Sequence, residues 1–152
     1  MSANISQTIQ ENPIFASLTT AEAEELASLC EVLILPPEYR LFSQGQIADD
    51  MYVLFKGECK LLVRPTAIAD EIEVGRLGKG EVFGEMGVLE KEPRSASVVT
   101  SVDSILLKIP GAGFFHMIEI AHPAIKLLLA HTMDKACMRL RDLDSRLEQL
   151  FI

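Results

Sequence analysis

Residues 83–98 read Phe83-Gly84-Glu85-Met86-Gly87-Val88-Leu89-Glu90-Lys91-Glu92-Pro93-Arg94-Ser95-Ala96-Ser97-Val98. Gly80 and Gly84 bracket a place where backbone can approach a ligand closely, and Glu85 to Leu89 is long enough for one short helical turn. Amide groups at the start of such a turn face outward and favour an anion. Arg94 lies between a proline and a strand-like run. From there its fork of donors can pair two oxygens of a phosphate at once. Ser95 adds a hydroxyl, and the Glu85 carboxylate can accept hydrogen bonds from a sugar hydroxyl. Together these residues specify a site for a phosphate and a ribose.

Working outward, residues 32–109 are short apolar segments punctuated by turn residues, the pattern of an antiparallel all-β unit. Val32 to Leu35 ends at Pro36-Pro37. Met51 to Phe55 and Cys59 to Val63 flank Lys56-Gly57-Glu58, a hairpin signal. Glu71-Ile72-Glu73-Val74 alternates, which predicts Ile72 and Val74 inward and the glutamates toward water. Ala96 to Thr100 and Ser104 to Ile109 flank a Ser101-Val102-Asp103 turn. Strands at this spacing favour a sandwich or jelly roll. Gly75-Arg76-Leu77-Gly78-Lys79-Gly80 matches neither dinucleotide-binding nor Walker A spacing and is read as a turn.

Helices flank the strands. Thr19-Thr20-Ala21-Glu22 offers a hydroxyl cap and early acid, predicting a helix from about Thr20 to Cys30, with a short turn at Pro13-Ile14-Phe15 before it. From Pro123 to Leu150 there is neither further proline nor glycine. Leu129, Met133, Ala136, Leu140, Leu143, Leu147 and Leu150 alternate spacings of four and three, a heptad stripe. Its first two turns are expected to cover the strands, and from Leu140 onward it is expected to pair with a second copy, since a lone helix would leave an apolar edge in water.

Composition narrows the function. The chain has 152 residues, 49% of them hydrophobic, enough for one core. A net charge of −8 repels polyanions, so nucleic-acid binding is disfavoured and any bound phosphate needs a local basic site. Cys30, Cys59 and Cys137 are widely spaced and odd in number, which speaks for reduced, mostly buried thiols rather than disulfides or zinc. His116, His122 and His131 lack metal-ligand spacing and are read as surface or helix-packing residues. No serine or cysteine has a nucleophile's setting, so no catalysis is expected. No leader-like start and no run of about 20 apolar residues is present, so the expectation is a cytoplasmic protein without a membrane partner.

The order F-G-E-x-G-V-L, three residues, then P-R-S-A-S-V resembles the phosphate-binding cassette of the cyclic nucleotide-binding domain family. The order of N-terminal helix, Lys56-Gly57 hairpin, Gly78-Lys79-Gly80 turn, cassette and long C-terminal helix is similar to the family's layout across nearly the whole chain. The resemblance implies a mainly β fold: an antiparallel β-roll or jelly roll of the double-stranded β-helix type, with short N-terminal helices and a long C-terminal helix. It implies one domain over 1–152, with a helical segment at 1–31, the roll at 32–109, the cassette at 83–98 and C-terminal helices at 111–152. It further implies that Glu85 binds the ribose 2′-hydroxyl, and that Arg94 and Ser95 contact the cyclic phosphate with backbone of the Gly84 and Met86 region. Leu61 and Val74 match strand positions that touch the base or sugar. The chain has no tryptophan, and Pro123 to Leu150 has no aromatic residue. The resemblance implies that the long helix lies over the base, with Leu140 and Arg141 the positions expected to face it.

The ligand so implied is a cyclic nucleotide, cAMP in the first place and cGMP as the alternative, with no other cofactor and no metal. No helix-turn-helix or other effector domain follows the long helix in this sequence. The expectation is a stand-alone sensor that signals by movement of the C-terminal helix or rearrangement of a homodimer, or through a separate effector protein. The competing reading is an interaction module of the same fold that does not respond to nucleotide. A buried ion pair between Arg94 and Glu85 is the structural alternative to a ligand site.

Overall fold

A computed structural model describes residues 2–150, without the side chains of residues 2–4 and Met86; Met1, Phe151 and Ile152, at the ends of the expected domain, lie outside the described residues. In chain order the elements are α1 (Ser2–Glu11), α2 (Thr20–Leu29), β1 (Glu31–Leu35), β2 (Arg40–Phe42), β3 (Asp50–Lys56), β4 (Cys59–Val63), β5 (Ile72–Leu77), β6 (Val82–Phe83), α3 (Glu85–Glu90), β7 (Ser97–Thr100), β8 (Ser104–Pro110), α4 (Gly111–Glu119) and α5 (Pro123–Leu150). Two antiparallel four-stranded sheets, ordered β1-β8-β3-β6 and β2-β7-β4-β5, form the expected β-roll with flanking helices.

The unbroken apolar run of β3 has a structural reason. Met51, Val53 and Phe55 face the helices, where Ile9, Phe15, Leu26, Phe114, Met117 and Leu128 complete one core. Tyr52 and Leu54 face the other way, into a second core between the sheets with Leu35, Cys59, Leu77, Phe83, Val98 and Leu106. A strand covered on both faces cannot show polar and apolar alternation. At the start of α2 the Thr19 hydroxyl accepts from Glu22 N and the Glu22 carboxylate accepts from Thr19 N, the capping box that the sequence announces. At the other end of the fold His122 Nδ1 accepts from Ala124 N, which leaves Nε2–H to donate to the Glu22 carbonyl at 3.0 Å. This histidine therefore ties α5 to α2, a helix-packing role.

Four expectations are corrected. Ile72 and Val74 are 51% and 55% exposed rather than inward. On β5, an edge strand, Leu77 and Gly75 pair Cys59 and Leu61 on the inner face, so alternation turns Val74 outward; Val74 is then an extra residue in the register, with Glu73 pairing Leu62 and Ile72 pairing Val63 at the exposed end of the strand. Gly75 to Leu77, read as part of a turn, belong to that strand; only Gly78 onward turns. Cys137 is exposed, unlike Cys30 and Cys59, because it lies on the side of α5 opposite the one that Lys135 and Arg139 turn to the roll. The stripe on α5 does not cover the strands in its first two turns: Leu129 and Met133 are exposed, and Ala124 and Leu128 are the residues that bury there. Among the described residues no single helix is long and apolar enough to cross a membrane.

Candidate functional site

Arg94 is fixed first through its backbone. Its N–H donates to Gln46 O at 2.7 Å, its carbonyl accepts from Gly45 N at 2.8 Å, and Pro93 bridges Ile47. The side chain then turns inward and is only 7% exposed. Nη2 donates to Asp50 O at 2.6 Å and Nη1 to Gly84 O at 3.2 Å. The guanidinium carbon stands 4.1 Å from the centre of the Phe42 ring and 6.0 Å from that of Tyr52. Nε is buried without a hydrogen-bond partner. Neither Glu85 nor any other carboxylate forms an ion pair with Arg94 among the described residues, so the structural alternative of an Arg94–Glu85 pair is not realised. Burial pushes the Arg94 pKa below its ordinary value, opposed by Tyr52, Asp50 and Asp49. Burial likewise pushes the Tyr52 hydroxyl up to about 12, reinforced by Asp50. A buried cation with half-satisfied donors is costly on its own and gains from an anion.

Gly84 initiates α3 with φ of +81°, and a β-carbon there would stand 2.7 Å from Arg94 Nη1. The close approach that this glycine permits is to the arginine itself. Gly87, one turn on, has Ala48 Cβ where its own β-carbon would be, so a side chain would push the helix off the 45–50 loop. Over Arg94 opens a cavity of about 350 Å³. Of the predicted residues, Leu61, Gly84, Glu85, Arg94 and Ser95 line it. Met86 sits in α3 beside Glu85, but its side chain lies outside the described residues.

Three predicted residues are not brought there. Val74 lies on the outer side of β5, next to the inward Gly75. Leu140 and Arg141 are exposed and absent from the cavity wall, whereas Arg139 of the same helix lines it. The cause is rotation: Lys135 Nζ, one turn before Arg139, is 3.0 Å from Glu81 Oε1, which orients that side of α5 to the roll. Sequence reasoning also missed Phe42 and Phe83, both in the wall. The four-residue spacing of Lys135 and Arg139 was the signal available for Arg139; β2 is only three residues long and gave none for Phe42.

A larger cavity of about 620 Å³ lies against Arg40 and Arg64. Its arginines are already committed. Arg40 donates to both oxygens of Glu71 and Arg64 lies 3.8 Å from the same carboxylate. The smaller cavity, whose buried cation has no carboxylate partner, is the better anion site.

The family described as cyclic nucleotide-binding domain matches residues 32–120. The chain is 29% identical over 143 residues to the cyclic AMP receptor protein of Thermus thermophilus, covering 91% of this chain and 62% of that protein. It is 30% identical over 136 residues to lysophospholipase NTE1 of Candida glabrata, covering 78% of this chain and 8% of that one. Against the regulatory domain of Toxoplasma gondii PKA, crystallised with cAMP, the TM-score is 0.69 at 17% identity, covering 88% of this chain and 50% of that chain. The chain thus spans less than two thirds of these relatives.

Proposed function

The chain belongs to the cyclic nucleotide-binding domain family, and from that membership we propose that it is a cyclic nucleotide sensor in which Arg94 pairs the cyclic phosphate and Glu85 accepts from the ribose 2′-hydroxyl. The observation that carries this reading is the 7%-exposed Arg94 guanidinium, with its unpartnered Nε, under a cavity that Glu85 also lines. A singly charged phosphate supplies the counter-charge and acceptor that this cation lacks. Ser95, at the exposed rim, adds a hydroxyl to the phosphate, backbone of the Gly84 and Met86 region adds its amides, and Leu61 meets the sugar or base. Arg139 takes the place over the base first assigned to Leu140 and Arg141. The ligand is cAMP, with cGMP as the alternative. Family members are typically regulatory rather than catalytic, and the lysophospholipase relative is matched over 8% of its length.

Signalling follows from differential affinity: nucleotide favours one placement of α5 on the roll over another, and a second copy or a separate effector protein reads the change. The test is titration calorimetry with cAMP and cGMP on the wild-type chain and Arg94→Ala. Loss of the arginine should weaken binding by about 2–5 kcal/mol, as when one partner of a buried charge pair is removed. Equal affinity in the variant would remove Arg94 from the site. Wild-type protein that binds neither nucleotide at millimolar concentration in equilibrium dialysis would leave the interaction-module reading in its place.

A further inference from the structure

We propose that Phe42, backed by Tyr52 and Phe83, is a positioning residue that holds the Arg94 guanidinium in place under the cavity that Glu85 also lines; this rests on the function proposed above. The three rings form one cluster, with centroids 5.8 Å apart for Phe42 and Tyr52, 6.3 Å for Phe42 and Phe83, and 5.4 Å for Tyr52 and Phe83. Phe42 comes from β2 of one sheet, Tyr52 and Phe83 from β3 and β6 of the other. The cluster therefore spans the two sheets at the point where the 83–98 segment crosses them.

Hydrogen bonds alone do not fix the arginine. Asp50 O and Gly84 O take one N–H each from the two terminal nitrogens, which leaves rotation about that axis open. The Phe42 face, 4.1 Å from the guanidinium carbon, removes this freedom by stacking. It also offers the negative face of a ring to a desolvated cation without neutralising it, as a carboxylate would. A carboxylate in that place would compete with the ligand; a phenyl ring cannot. That difference explains how a guanidinium this buried can stay both ordered and available.

Three proteins are compared: wild type, Phe42→Leu, which keeps apolar bulk but removes the ring, and Phe42→Tyr, which keeps the ring. The first readout is the Arg94 Nε–Hε signal by nitrogen–proton NMR without ligand, assigned by its loss in Arg94→Lys. Ring current should displace it in wild type and Phe42→Tyr and not in Phe42→Leu. The second is cAMP affinity, about tenfold weaker in Phe42→Leu and within about twofold of wild type in Phe42→Tyr, the scale expected for a desolvated cation–π contact. An Arg94 signal that does not change in Phe42→Leu overturns the proposal, as does equal weakening in both variants, which would mark a purely structural role. If the wild type binds no cyclic nucleotide, the proposed function falls, and the NMR signal still decides whether Phe42 positions Arg94.

Discussion

A β-carbon on Gly84 has no place to go: Arg94 Nη1 lies 2.7 Å and Asp50 O 3.3 Å from its ideal position, and the backbone is left-handed at +81°. Gly84→Ala should therefore cost about 1–3 kcal/mol of stability from the strained backbone, and should weaken nucleotide binding further because the methyl displaces Arg94 from the Gly84 carbonyl. Urea unfolding and calorimetry on the same preparation would check both, and an alanine variant that binds like wild type would show that the Arg94–Gly84 contact is dispensable. At this scale the sequence was informative where chemistry and backbone demand coincide. Gly84, Glu85, Arg94 and Ser95 were legible because glycine, acid and arginine at that spacing have few other uses. Val74 was not, because the facing of β5 is set by Gly75 and Leu77, which lie beyond the alternating Glu71–Val74 run and read as part of a turn. Phe42 was not, because an aromatic residue beside a short apolar pair carries no sign that a cation will lie on it.

Among the elements, β3, β4, β7 and β8 were legible from apolar runs bounded by turn residues, and α2 from its capping box. The orientation of α5 was not legible, since two faces of that helix are patterned and only tertiary contact decides which one the roll takes. The roll takes the side bearing Lys135 and Arg139, with Ala124 and Leu128 packed at its start. His131 lies one turn before Lys135, with Nε2 buried and unpartnered. Burial lowers its pKa from the ordinary 6.5, with Lys135 adding to the shift and Asp134, Glu81 and Glu85 opposing it. The neutral ring is thus the form the folded state prefers. Its contribution is complete above pH 6.5; as pH falls below that value the unfolded chain takes up a proton that the folded chain resists, so stability drops until the folded histidine itself titrates. Urea midpoints measured between pH 7.5 and 5 should fall more steeply for wild type than for His131→Gln. Parallel slopes would place His131 in water.

For the whole molecule the question is what meets the outward face of α5. Leu140, Leu143, Leu147 and Leu150 are each 43–77% exposed, a continuous apolar edge on a chain whose net charge of −8 otherwise keeps copies apart. A second copy of the same helix fits this edge, because the stripe places Met133, Leu140 and Leu147 at a and Leu129, Ala136, Leu143 and Leu150 at d of a heptad. The flanking charges choose the direction. Arg139 and Arg146 fall at g and Asp144 at e, so a parallel, in-register pair sets Arg139 of one copy against Asp144 of the other, whereas an antiparallel pair sets arginine against arginine. Arg139 also lines the cavity over Arg94, so a parallel pair would connect each ligand site to the interface through one side chain. Wild-type protein should sediment as a dimer, and Leu143→Glu with Leu147→Glu as a monomer, since each buried leucine contributes roughly 1.5–3 kcal/mol that a charge forfeits. A cysteine at Ala136, with Cys137→Ser to remove the native thiol, should form an intermolecular disulfide on mild oxidation, because d positions at one level meet only in the parallel, in-register pair. A wild-type chain that sediments as a monomer across a whole concentration series would assign the stripe to a different partner chain.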